Sequence, residues 1–168
     1  DAGWIYQYGA TGAVHPIFGV PAAAQRPTDF HMLRITSATG PSSHFAEESF
    51  RALGNRTLAL GGRLSSPAVT LLPGTYKRFQ ATFGLPLEYN VQARFDYTQT
   101  SGVPRLVRMA ATPGWIASLT ATIAMPDFSG VAGWSDTWAP GLGLATSWSI
   151  GASGGDLTGS RCREGTRQ

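Results

Sequence analysis

Trp134-Ser135-Asp136-Thr137-Trp138 sets two indoles four residues apart, with a carboxylate and two hydroxyls between them. These residue types suit sugar recognition: a sugar ring presents axial C–H groups to an aromatic face and hydroxyls to carboxylates and other polar groups. Neither a period of two nor one of 3.6 runs through Gly133 to Pro140, so the segment reads as a surface loop. Trp134, Ser135, Asp136, Thr137 and Trp138 are therefore the candidate glycan ligands. The competing reading folds the same loop back to plug the end of the fold.

Other chemistry finds less support. Glu47 and Glu48 are adjacent, and adjacent residues face apart on a strand or a helix, so they do not form the paired carboxylates of a glycosidase. Asp127 and Asp136 flank the tryptophan loop, but nothing in the sequence sets them the roughly 5–10 Å apart that such chemistry requires. Gly151-Ala152-Ser153-Gly154-Gly155 spells Gly-x-Ser-x-Gly, but no helix follows it, so it does not read as a strand-to-helix nucleophile elbow. His15, His31 and His44 lack a short metal-ligand spacing, and Cys162 is the single cysteine. No catalytic residue, metal or cofactor is expected.

The elements that must position the loop are strands. Trp115, Ala117, Leu119, Ala121, Ile123 and Met125 alternate with Ile116, Ser118, Thr120, Thr122 and Ala124, which predicts a strand that ends at the Pro126-Asp127-Phe128-Ser129-Gly130 turn. Val91, Ala93, Phe95 and Tyr97 alternate with Gln92, Arg94 and Asp96, giving one apolar and one wet face. Shorter runs fall at Trp4 to Tyr8, Phe30 to Thr36, Thr57 to Leu64 with a bend at Gly61-Gly62, Phe79 to Phe83 after the Pro73-Gly74 turn, and Leu142 to Ile150. Phe45 to Leu53 fits either two helical turns capped by Gly54 or a strand. Trp4, Trp115, Trp148 and Tyr97 are read as core.

Several short strands with turn signals at intervals of roughly ten residues predict an all-β fold, an antiparallel β-sandwich of jelly-roll type. The 168 residues, 42% hydrophobic, suffice for one domain, placed at 1–152, with 153–168 as a polar C-terminal tail or strap. Beginning at Asp1, the chain reads as a processed or partial product. No run of about 18 apolar residues is present to span a bilayer as a helix. The net charge of +3 rests on 13 basic residues, of which Lys77 is the one lysine. Arg51, Arg56, Arg63, Arg78, Arg94, Arg105 and Arg108 sit singly between polar or apolar neighbours, without the clustering that tracks a phosphate backbone, so nucleic acid is not an expected partner.

The order of elements adds a resemblance. Asp1-Ala2-Gly3-Trp4, then Phe30-His31-Met32-Leu33-Arg34-Ile35-Thr36, then Phe50-Arg51-Ala52-Leu53-Gly54-Asn55-Arg56-Thr57-Leu58-Ala59-Leu60 come in sequence. Phe83-Gly84, Thr112-Pro113-Gly114-Trp115 and Thr122-Ile123-Ala124-Met125-Pro126-Asp127-Phe128-Ser129-Gly130 follow. Across about 1–151 the chain resembles the carbohydrate-binding-type β-sandwich domains of bacteriophage tail fibres and of head spikes on phage-like gene transfer particles. The resemblance implies a noncatalytic, extracellular virion fibre or spike module. It would bind host surface or capsular polysaccharide and mediate attachment as an oligomer within a particle.

Fibre domains of this type carry a strand before the Asp-x-Trp opening and another at the close, where this chain has Asp1 and a polar end. An open sheet edge is therefore expected, with other virion proteins as partners through edge strands or the tail. Two alternatives are a purely structural virion protein connecting other subunits and a polysaccharide-degrading enzyme.

Overall fold

Ala93, Phe95 and Tyr97 are fully buried, while Arg94 and Thr98 between and beyond them keep partial access to solvent. That alternation places one face of a strand against a second layer. In the computed structural model, which describes residues 16, 19–155 and 161–167, nine strands form two antiparallel sheets. They are β1 (His31–Thr39), β2 (Ser42–Phe50), β3 (Ala68–Leu72), β4 (Arg78–Gly84), β5 (Gln92–Gln99), β6 (Arg105–Ala111), β7 (Thr120–Ala124), β8 (Thr146–Gly155) and β9 (Arg161–Arg167). A one-turn helix, α1 (Pro113–Ile116), precedes β7. The larger sheet runs β1-β2-β9-β8-β5-β6 and the smaller β3-β4-β7. The fold is an all-β antiparallel sandwich, as expected, with its strands divided six and three.

The core lies between the small sheet and the β8-β5-β6 part of the large one. Register assembles it: Phe95 pairs with Ile150 on one side and Met109 on the other, while Ala81 pairs with Ile123 and Phe83 with Ala121. Because side chains alternate with a period of two, a slip of one residue would turn this whole set to solvent. Each buried Phe or Ile is worth about 1.5–3 kcal/mol, so the apolar faces hold the register.

Several expectations need correction. The strand read from Trp115 to Met125 exists only as β7; Pro113 opens a helical turn at its first position, and Ala117, in the left-handed region at φ 51°, closes it. The apolar alternation before Thr120 is thus coincidental, and Trp115 is 73% exposed, not core. Phe45 to Phe50 belongs to β2, where ladders to β1 and β9 decide against a helix.

The run from Thr57 to Leu64 forms no strand. Side chains hold it instead: Glu88 accepts from the Gly62 N–H, and the Tyr89 hydroxyl donates to the Gly62 carbonyl at 2.8 Å. The polar segment read as a tail supplies the end of β8, through Gly155, and then β9, which pairs with both β2 and β8. The run Trp4 to Tyr8 and the Asp1-Ala2-Gly3-Trp4 motif lie outside the described residues.

Candidate site at the loop end of the sandwich

Three connections gather at one end of the sandwich: β3–β4 with Thr75 and Tyr76, β5–β6 with Val103, and the long β7–β8 loop that carries Trp134 to Trp138. The long loop is tied down along its length. Pro140 accepts from the Lys77 N–H at 2.8 Å, Gly141 donates its N–H to Gln99 Oε1 at 2.9 Å, and the Ala145 N–H donates to Ser101 Oγ at 2.9 Å. Lys77 Nζ also donates to the Leu144 carbonyl. A loop held by these bonds is a built surface and not a free connection.

Within it, the candidate residues divide. Trp134 is half-buried and packs on the core, with Phe128 at 4.9 Å, Tyr76 at 5.6 Å and Trp138 at 5.6 Å between ring centroids. Trp138 meets it edge-on at 80° and is itself 61% exposed. The loop-plugging and ligand-binding readings are therefore each realised by a different indole: Trp134 plugs, and Trp138 presents a ring to solvent.

Asp136 joins the two. Its Oδ1 accepts from Trp134 Nε1 at 3.0 Å and its Oδ2 from Thr75 Oγ1 at 2.6 Å. A carboxylate offers about four lone-pair sites, so two remain for an incoming hydroxyl. Ser135 and Thr137 share a hydrogen bond at 2.8 Å, and Arg105 Nε donates to the Thr137 carbonyl at 2.8 Å. A short 3₁₀ turn over Asp136–Trp138 orients the side chains. Beside them opens a cleft of about 300 Å³ lined by Thr75, Gln99, Arg105, Asp136, Thr137 and Leu144 among others.

Sequence reading missed Thr75, Tyr76, Phe128 and Arg105, because they reach the site from other parts of the chain. The Pro73-Gly74 turn was the available signal for Thr75 and Tyr76, since it marks a loop tip. Trp148 packs against the core and Tyr97 is buried, as read from their alternation. Tyr6 and Tyr8 lie outside the described residues.

A second cleft, of about 350 Å³, lies at the opposite end and is lined largely by Leu85, Pro86, Leu87 and Leu119. Its polar groups are engaged within the protein: Ser65 Oγ accepts from the Gly84 N–H at 2.6 Å, Glu88 accepts from the Gly62 N–H, and Arg63 donates to the Ser37 and Thr39 hydroxyls. The loop end is the better candidate because its long loop carries both an exposed ring, Trp138, and a carboxylate, Asp136, with unspent polar capacity.

Asp127, next to the site, is held below its ordinary carboxylate range. The Ser129 N–H and hydroxyl are the main cause, and Arg78, paired at 2.8 Å, adds to them. A carboxylate held ionised in this way is a poor general acid near neutral pH. A lowered folded-state pKa contributes stability above the unfolded value that is lost as pH falls through the folded one. Thermal melts should therefore show a contribution from Asp127 that is constant above about pH 5 and declines progressively as the pH falls below about 4. Asp127→Asn should flatten that part of the profile, and an unchanged acid limb would refute the assignment.

The fold and this end define an all-β sandwich with a polar loop-end cleft and an exposed tryptophan on the same loop. Comparison with known protein families, curated proteins and solved structures finds no match to the chain.

Proposed function

We propose that this protein is a noncatalytic polysaccharide-binding module of a phage or phage-like particle, which attaches the particle to a host surface through the loop end of the sandwich. The observation that carries the reading is Trp138: a large ring left open to solvent, yet braced edge-on by Trp134 and flanked by the Asp136 carboxylate. Exposed tryptophan is costly to leave in water, and bracing reduces the entropy lost when a sugar stacks on it. Asp136, Thr75 and Arg105 supply polar partners around the cleft. The virion setting comes from the resemblance of the chain to fibre and spike domains. Single-site affinity of such a platform would be modest, and many copies on one particle raise attachment without new contacts.

A glycan array, followed by titration with the capsular polysaccharide it selects, tests the proposal. Trp138→Ala should lower affinity by at least about tenfold, the loss of a single aromatic stacking contact. Because the ring is largely exposed, the melting temperature should hardly change. Wild-type binding in the variant would remove the site. Release of reducing ends from the same polysaccharide would replace a binding module with an enzyme.

A further inference from the structure

On the outer face of β5 and β6, one carboxylate is shared where the other ion pairs among the described residues are simple. Arg34 pairs with Glu47, Arg56 with Glu48 and Arg78 with Asp127, each one to one. Asp96 alone is shared by two arginines: Arg94 Nε lies 3.1 Å from its Oδ2 and Arg108 Nε 3.2 Å from its Oδ1. Strand geometry explains the arrangement. Arg94, Asp96 and Thr98 are alternate residues on the face of β5 opposite the core, and Arg108 is the direct cross-strand partner of Asp96 on β6.

As a stabilising device the triad is weak. Asp96 is 7% exposed, so its carboxylate has lost most of its water, while Arg108 remains 59% exposed on its side chain. Exposed pairs return little, and desolvating a carboxylate is expensive. What the arrangement does achieve is alignment. Both guanidinium groups meet Asp96 through Nε, and neither makes a further hydrogen bond or ion pair among the described residues. The η nitrogens of both, the part of the fork that grips an oxyanion bidentately, are left for another partner. Ser149, opposite Asp96 on β8, and Thr98 paired with Ser147 place hydroxyl-bearing residues alongside.

We propose that Arg94 and Arg108, aligned by Asp96, form an oxyanion site on the outer sheet face for a carboxylate-bearing polysaccharide. This site shares no residue with the loop-end cleft and stands whether or not that cleft binds sugar. A guanidinium fork matches the planar carboxylate of an acidic sugar bidentately. The flanking hydroxyls match sugar hydroxyls.

Titration of the full chain with oligogalacturonate, against a neutral cello-oligosaccharide of equal length, provides the test. Oligogalacturonate should bind preferentially, and its affinity should fall with added salt. Arg108→Gln should weaken it by at least about tenfold, the loss of one bidentate charged contact. Arg34→Gln, an equal change of charge on β1, should leave it unchanged, with thermal melts confirming that both variants fold. The proposal is overturned by a wild type that does not prefer oligogalacturonate, by wild-type affinity in Arg108→Gln, or by equal losses in the two variants. Tighter binding of a single-stranded oligonucleotide of the same charge would also overturn it, by assigning the pair to nucleic acid.

Discussion

Replacing Trp134 with alanine is expected to lose stability and polysaccharide binding together, where Trp138→Ala loses binding alone. Trp134 packs on Phe128, Tyr76 and Trp138 at once, and its indole N–H is the donor that orients Asp136. Truncation leaves a cavity at the loop end and leaves Asp136 Oδ1 without that donor. For a half-buried ring the cost should be roughly 2–3 kcal/mol, less than for a fully buried tryptophan. Loss of the brace also frees Trp138 and widens the cleft, so affinity should drop at least as far as in Trp138→Ala. Denaturant melts and glycan titration of the two variants check the contrast. If Trp134→Ala keeps wild-type stability, Trp134 does not hold the loop. If it keeps wild-type affinity, the brace is irrelevant to recognition.

Gly154→Ala should be the most damaging glycine-to-alanine change among the described residues. Gly154 lies on β8 beneath the chain at Glu88 and Tyr89; a Cβ there would overlap the Glu88 carbonyl and come within 2.7 Å of the Tyr89 Cα. Side-chain neighbours can rotate away from an added methyl, but backbone cannot. The loop would have to lift, disturbing buried Tyr89 and the segment it holds through Gly62. Destabilisation of at least about 3 kcal/mol is expected, at or above the usual range for overpacking. A chemical melt measures it. A change below about 1 kcal/mol would mean that the two segments do not approach as described.

The legible parts of the fold share one property: their burial is one-sided. In β5 and β7 one face meets the core and the other meets water or polar side chains, so apolar and polar residues alternate and the strands can be read directly. Where that condition fails, so does the reading. β9 is a run of charged and small residues whose strand state comes from the ladders on both sides. Thr57 to Leu64 has strand-like composition but finds hydrogen bonds with Glu88 and Tyr89, and no ladder forms. Around Trp115 the Thr112-Pro113-Gly114 signal, not the apolar spacing, was the informative one, since proline at the first helical position sets the turn.

At the site, the chain by itself determined that Trp134 to Trp138 would be an aromatic, polar loop following a strand. Side-chain chemistry and the absence of period are local properties that need no neighbours. Tertiary structure decided which indole faces water. Tyr76 from the β3–β4 connection and Phe128 from the start of the long loop enclose Trp134, and Thr75 turns Asp136 toward the cleft. These contacts join positions as many as 61 residues apart, between Thr75 and Asp136. They exist only because sheet pairing brings three loops to one end, which no local pattern encodes.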